Sequence, residues 1–179
     1  MSAGIDIMVA PDAVLPAPAL PLLQHWRALC GDDLLPDLHA MAPAKVPPAL
    51  LPWTMTFRRD ADRNLTYGVV GEELAFLFRG NPRGGMVLNY ATPEVRAARY
   101  AVIHRALDEG IPVWYTARLL FESGAADIGR LGLPTRTEAG AALLLIYIPL
   151  TPLPEMTQRR QHFGEGPSAT VWLGRKPAA

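Results

Sequence analysis

A strict alternation of apolar and polar side chains runs through residues 53–58, WTMTFR. A period of two is typical of a strand that buries one of its faces. Turn-forming residues at 60–64, DADRN, separate this stretch from 65–70, LTYGVV, which has the composition of a second strand. We therefore predict a hairpin here, and with it the start of an antiparallel sheet.

The clearest helical pattern lies at residues 93–109. Thr92 can cap this helix and Pro93 suits its first position, while Gly110 and Pro112 end it. Local chemistry therefore predicts both ends of the helix.

Three more strands are expected after this helix, at 113–121, 128–133 and 141–148. The second of them is weak because Gly129 and Gly132 interrupt it. The third is uniformly apolar, as expected for a central strand buried on both faces.

Two further helices complete the pattern. Residues 20–29, LPLLQHWRAL, carry apolar positions three or four apart and predict an amphipathic helix. A short helix is expected at 72–78, between the hairpin and the long helix. Strand and helix do not alternate throughout, so we predict an α+β fold with one antiparallel sheet rather than a parallel α/β fold. Residues 169–173 could add an edge strand.

Length and composition favour one domain with extensions, since the chain has 179 residues and half of them are hydrophobic. Half of its 18 prolines occur at or before residue 52. We therefore predict a disordered or extended arm at 1–19, the domain at 20–150 and a C-terminal extension at 151–179.

Charge and cysteine content narrow the possible surroundings of the protein. Lys+Arg and Asp+Glu are balanced at 17 each, which gives no electrostatic attraction to nucleic acid and only weak self-repulsion. The chain has one cysteine, Cys30, and a lone thiol fits a reducing compartment. The N-terminus lacks the features of a secretory signal, and no apolar run is long enough to span a bilayer. We expect a cytoplasmic protein that contacts neither membrane nor nucleic acid.

Three segments resemble a bacterial group of small, stand-alone PAS-like proteins that belongs to the PAS superfamily. The likeness covers residues 20–150 and is carried by the Trp-containing helix at 24–29, the stretch at 65–80, and the last pair of strands around 133–141. The group usually has an arginine after the tyrosine of the second segment, where this chain has Gly68.

The resemblance implies a PAS-like, five-stranded antiparallel sheet with helices over one face, enclosing a small cavity. It also implies a sensory or regulatory role in signal transduction, exercised through ligand binding or protein–protein contact.

PAS cofactors can be compared with the residues present. Covalent flavin chemistry is excluded, because Cys30 lies in the N-terminal helix and not beside the short helices. Haem would need a histidine facing the cavity, and His104 on the long helix points away from the apolar stripe. The four histidines also lie in separate segments without metal-binding spacing. We therefore predict no cofactor and no metal.

A ligand pocket would draw on one charged and several aromatic residues. Arg99 falls within the apolar stripe of the long helix, where a charge is costly unless it is paired. It reaches an edge carboxylate, extends into the cavity and anchors an anionic group, or pairs with Glu72 or Glu73. Aromatic residues are also common core residues. The candidate ligand-binding residues are Tyr67, Phe76, Arg99, Tyr115 and Tyr147.

The N-terminal helix is the candidate interface. Leu22, Trp26 and Leu29 can pack on a second copy and form a homodimer, or pack on the sheet of the same chain. Both arrangements bury the same face, so the sequence leaves them open.

These observations predict a non-enzymatic PAS-like module that binds a small apolar or anionic ligand, a signalling protein, or both. One alternative is a small α+β pocket enzyme of the isomerase or hydratase type, which needs a carboxylate or histidine in the cavity. Another is a ligand-free structural dimer.

Overall fold

In the residues that the computed structural model describes (9–10, 14–31, 35–42, 45–78, 82–88, 92–121, 124–154, 164–165 and 170–175), eight strands form one sheet. The strands are β1 (Val9–Ala10), β2 (Thr54–Arg59), β3 (Leu65–Val70), β4 (Val113–Phe121), β5 (Gly124–Thr137), β6 (Gly140–Pro149), β7 (Gly164–Glu165) and β8 (Thr170–Leu173). Their order is β1-β8-β4-β5-β6-β2-β3, and β7 also pairs with β4. All pairs are antiparallel except β1 with β8.

The helices are α1 (Leu20–Leu29), α2 (Leu38–Met41), α3 (Glu72–Leu77) and α4 (Pro93–Glu109), with a 3₁₀ helix at Pro48–Trp53. The predicted ends of α4 are confirmed. Thr92 Oγ1 accepts a hydrogen bond from the Val95 amide at 3.4 Å, and Gly110 ends the helix in the left-handed conformation, with φ 62°. These helices, together with the mostly antiparallel sheet, confirm the predicted α+β class.

The predicted hairpin is present as β2 and β3, and the predicted strand at 141–148 lies within β6. The predicted interruption at Gly129 and Gly132 is wrong, because both lie inside the 14-residue strand β5. The ring of Trp114 lies over Gly129, and a Val113 methyl group lies 2.8 Å from where a Cβ of Gly132 would be. These two glycines thus make room for the side chains of Trp114 and Val113 on the neighbouring strand β4.

The sheet extends beyond the five predicted strands on the β4 side. Residues 170–173, within the stretch where the sequence allowed an added edge strand, form β8 beside β4. This strand is not an edge, because Val9–Ala10 pair with it on its other side. Part of the predicted N-terminal arm therefore belongs to the sheet. The rest of that arm up to residue 13, and most of the extension at 155–169, lie outside the described residues.

Helices cover both faces of the sheet, which corrects the expectation of helices over one face. One core lies between the sheet and α3 and α4, and the second lies between the opposite face and α1, α2 and the 3₁₀ helix. Residues 142–148 of β6 are all buried, and the side chains of residues 143–148 alternate between the two cores. A central strand of this composition needs cover on both faces, because each face is apolar.

Candidate functional site

A cavity lies between α4 and the sheet, in the first of the two cores. Its volume is about 30 Å³, room for about one water molecule. Strands β2 to β6 supply one side of it, and α4 supplies the other. The lining residues are Met55, Phe57, Tyr67, Phe78, Leu88, Arg99, Val102, Ile103, Tyr115, Arg130, Leu145 and Tyr147.

Arg130 is the central charged residue of the cavity wall. In the sheet it pairs directly with Tyr115 of β4 on one side and with Tyr147 of β6 on the other. Directly paired residues project from the same face, so these three side chains form a row across three strands. The guanidinium carbon lies 5.4 Å from the centroid of the Tyr115 ring and 4.7 Å from that of Tyr147. Arg130 is only 3% exposed.

Arg99 reaches the same row from the helix. Its guanidinium carbon lies 5.1 Å from the centroid of the Tyr115 ring, so that ring contacts two cations, one from α4 and one from β5. Ile103, one helical turn away, is buried on the same side of α4. Arg99 and Ile103 therefore line the cavity from the same side of α4, within the stripe where the sequence placed Arg99.

The tyrosine rings offset only part of the cost of burying Arg130. A desolvated cation–π contact contributes about 2 kcal/mol, whereas removing an ion from water costs several kcal/mol. Both arginines also interact elsewhere within the chain. The described lining residues include two arginines and three tyrosines and no acidic side chain.

Two tyrosine hydroxyls hold the segment that closes one side of the cavity. Tyr100 donates to the carbonyl of Val87 at 2.8 Å, and the amide of Leu88 donates to the Tyr67 hydroxyl at 3.3 Å. Burial raises the pKa of Tyr100, which keeps this donor protonated. Leu88 has φ 57°, in the left-handed region that costs a leucine about 1–2 kcal/mol. A strained residue therefore lies on the cavity wall.

Comparison of the chain with models of protein families, with curated proteins and with solved structures finds no match.

Four of the five predicted ligand-binding residues, Tyr67, Arg99, Tyr115 and Tyr147, line the cavity. Phe76 does not, and Phe78 lines it instead. Helix α3 ends at Leu77 with Leu74 and Leu77 buried, and this rotation leaves Phe76 half-buried and away from the cavity.

Sequence reasoning missed Arg130, because β5 was expected to break at its glycines. Ala126 and Ile128 are two residues apart and are both buried on the α4 side. This spacing was the evidence in the sequence that could have identified Arg130. Continued by one step, it places Arg130 on the same face. Gly129 and Gly132 obscured this continuity.

The N-terminal helix packs within the chain, which is one of the two arrangements that the sequence left open for Leu22 and Trp26. Leu22 is 2% exposed and Trp26 is fully buried in the second core. The Trp26 indole N–H donates to the carbonyl of Pro134 at 2.6 Å, and the Arg27 guanidinium donates twice to the carbonyl of Gly174. Leu29 is 38% exposed and is the remaining candidate for an external contact.

His104 and Cys30 both lie away from the cavity. The His104 ring packs edge-on against Tyr100, with the ring centroids 5.8 Å apart, and burial lowers its pKa. Cys30 borders the second core, where burial raises the pKa of its thiol. Within the described part of the chain, no group of three or more His, Cys, Asp or Glu side chains is placed to hold a metal ion. The same residues contain no helix long and apolar enough to cross a membrane.

A larger groove, of about 610 Å³, lies on the opposite face of the sheet between β2, α2 and the β5–β6 turn. Leu38, Leu51 and Leu144 form part of its wall, and Asp37 and Glu138 add negative charge. Val69 of β3 also lines it and is 54% exposed. This groove is separate from the cavity, and its lining also includes the cationic Arg58.

Proposed function

We propose that this chain is a PAS-like regulatory module that binds a small ligand in the cavity between α4 and the sheet. The observation that carries the proposal is the buried Arg130, stacked between Tyr115 and Tyr147 on the cavity wall. Aromatic walls with a few placed polar or charged groups are typical of small-ligand sites in proteins.

The PAS-like part of the proposal is supported by the five strands β2 to β6 and by what connects them. These strands are adjacent and antiparallel, and α3 and α4 cross one face between β3 and β4. The resemblance of residues 20–150 to the PAS-like group implies this arrangement around a small cavity. We further propose a cytoplasmic protein that acts through a signalling partner.

The pocket-enzyme alternative has less support in the described residues. General acid–base catalysis of the isomerase or hydratase type calls for a carboxylate or histidine within reach of the substrate. The titratable side chains that line the cavity are those of Tyr67, Arg99, Tyr115, Arg130 and Tyr147. This set serves recognition better than proton transfer, so we favour a binding role.

Native mass spectrometry of the purified full chain tests the proposal, by comparison with the denatured mass. We expect a small molecule bound to the wild type and to Arg118→Met, whose arginine is 62% exposed and lies outside the cavity lining. We expect none bound to Val102→Phe, because the added ring would fill a cavity of about 30 Å³. Equal ligand retention by all three proteins would contradict the site, and an empty wild type that no small molecule stabilises would contradict the function.

One observation, the small size of the cavity, favours a role without a bound ligand. If no ligand binds, the groove lined by Val69 of β3 is the candidate functional surface. A homodimer through this groove or through Leu29 would lose self-association on Val69→Asp or Leu29→Asp, which place a charge at an exposed apolar site. Sedimentation velocity of the two variants and the wild type distinguishes them. A wild type that stays monomeric at all concentrations would exclude the dimer.

A further inference from the structure

We propose that protonation of His104 weakens the attachment of α4 to the β2–β3 hairpin, so that this attachment responds to pH. The attachment is the Asp108 contact, in which the Asp108 carboxylate near the end of α4 pairs with Arg59 and Arg63 of the hairpin. The response needs no ligand in the cavity, so it goes beyond the proposed function and stands independently of it.

The Asp108 contact carries more positive than negative charge. Arg59 Nη1 lies 2.6 Å from Asp108 Oδ1, and Arg63 Nη2 lies 2.8 Å from Asp108 Oδ2, so both oxygens of the carboxylate are engaged. Two guanidinium groups thus share one carboxylate. The Arg59 side chain is only 15% exposed, so its charge is partly shielded from water. A further cation beside this contact is repelled by two charges and attracted by one.

His104 lies beside this contact on the same side of α4. It precedes Asp108 by four residues, and side chains at this spacing are neighbours on a helix surface. Its ring packs edge-on against that of Tyr100, with the ring centroids 5.8 Å apart. Among the described residues, the charges that act on His104 come from Asp108 on its own helix and from Arg59 and Arg63 on the hairpin. Tyr100 adds no charge, since burial raises its pKa above the ordinary value of 10.0.

The buried side of the His104 ring offers no acceptor for an added proton. Nδ1 is buried, and no hydrogen-bond partner for it is present in the described part of the chain. A neutral imidazole leaves one ring nitrogen without a hydrogen, whereas in the imidazolium ion both nitrogens are donors. A buried donor without an acceptor is costly, and the new charge also adds to those of the two arginines. Movement of α4 away from the hairpin separates these cations, so protonation favours it.

The direction of the His104 pKa shift agrees with this geometry. Burial and then the charges of Arg63 and Arg59 lower the pKa of His104 from 6.5, and the charge of Asp108 offsets only part of that effect. The ring therefore stays neutral to a lower pH in the folded state than in the unfolded chain. The resulting stabilisation is present above pH 6.5 and is lost as the pH falls from 6.5 through the lowered pKa.

A histidine titration by NMR of the isotope-labelled full chain tests whether the arginines set the protonation of His104. We expect its pKa to lie below 6.5 and to rise in Arg63→Gln, which removes one of the two cations. Arg118→Gln is the matched control and should leave that pKa unchanged, because Arg118 is 62% exposed and lies beside Asp127. A His104 pKa at or above 6.5, or one that Arg63→Gln does not raise, would overturn the proposal.

Hydrogen exchange at about pH 7.5 and about pH 5.5, corrected for the intrinsic pH dependence of exchange, tests the consequence for α4. The Ile111 amide donates to the Ala106 carbonyl at 3.2 Å and reports on the end of the helix. The Leu145 amide in β6 reports on global opening. We expect acidification to reduce protection at Ile111 more than at Leu145. His104→Gln cannot titrate and should lose this difference.

His104→Phe keeps an aromatic ring against Tyr100 and also cannot titrate, so it separates the loss of the protonation site from the loss of packing. It should behave as His104→Gln does. The same loss of protection on acidification in the wild type and in both variants would overturn the proposal. Equal losses at Ile111 and Leu145 in the wild type would do so as well.

Discussion

The indole ring of Trp114 in β4 lies over Gly129 of the neighbouring strand β5, so closely that a Cβ at Gly129 would overlap the ring. Trp114 is 4% exposed and belongs to the second core. The absence of a side chain at Gly129 is therefore what lets a large ring lie flat on the sheet.

Gly129→Ala should destabilise the fold by about 1–3 kcal/mol, because the methyl group forces the buried Trp114 ring out of its position. Chemical denaturation of the full chain measures this change in the free energy of unfolding. In a Trp114→Leu background the same substitution should cost much less, since the smaller side chain leaves room for the methyl group. An equal cost in both backgrounds would show that the ring does not impose the glycine.

Trp26→Phe should cost about 1–3 kcal/mol, because it leaves the buried carbonyl of Pro134 without its donor, which lies 2.6 Å away. Leu29→Ala on the same helix is the matched control and should cost less than about 0.5 kcal/mol, since Leu29 is exposed. Thermal unfolding at two protein concentrations measures both effects. A concentration-dependent loss in Trp26→Phe would show that this helix packs on a second copy after all.

Asp108 connects the end of α4 to the β2–β3 hairpin. It accepts hydrogen bonds from Arg63 Nη2 at 2.8 Å and Arg59 Nη1 at 2.6 Å. The hydrogen bond from Arg63, with that from Arg59, lowers the pKa of Asp108 from 3.8 to about 2. Its side chain is 42% exposed, so solvent screening limits its contribution to about 1 kcal/mol or less.

Asp108→Asn should therefore lower the free energy of unfolding by about 0.5–1 kcal/mol at neutral pH. A depressed pKa in the folded state stabilises the fold above the unfolded value of 3.8, and this contribution disappears as the pH falls through about 2. Denaturation of wild type and variant from pH 7 downward should show the difference shrinking below pH 4. Glu109→Gln, which removes the exposed pair with Arg105, should change stability by less than about 0.5 kcal/mol. A difference for Asp108→Asn that stayed constant down to pH 2 would contradict the shifted pKa.

Tyr100→Phe should loosen the strained segment on the cavity wall, because it removes the donor to the carbonyl of Val87. The Val87 amide, which donates to Leu65 at 2.9 Å, should exchange its hydrogen up to about tenfold faster, as expected from losing about 1 kcal/mol of local stability. Amides of the central strand β6, such as that of Leu145, serve as the internal control. Uniformly faster exchange across Val87 and Leu145 would mean that the variant lowers global stability and that Tyr100 does not act on this segment.

The parts of the fold that could be predicted are those in which the residues that decide the structure are neighbours in sequence. The alternation at 53–58 and the turn after it predicted the β2–β3 hairpin, and Thr92 and Gly110 predicted the two ends of α4. Such features depend on backbone preferences and capping over a few residues. The continuity of β5 was not predicted, because two glycines that normally weaken a strand are required here by Trp114 and Val113 of the next strand.

The sequence by itself determined the α+β class, the order of the main elements, and four of the residues that line the cavity. It left two arrangements open for Trp26, since an amphipathic helix buries the same face in its own chain or in another. Only the tertiary structure decided that Trp26 packs on the same chain and that Arg130 stacks between Tyr115 and Tyr147. Those three residues come from separate strands, and the hydrogen-bonded register of β4, β5 and β6 alone brings them into one row.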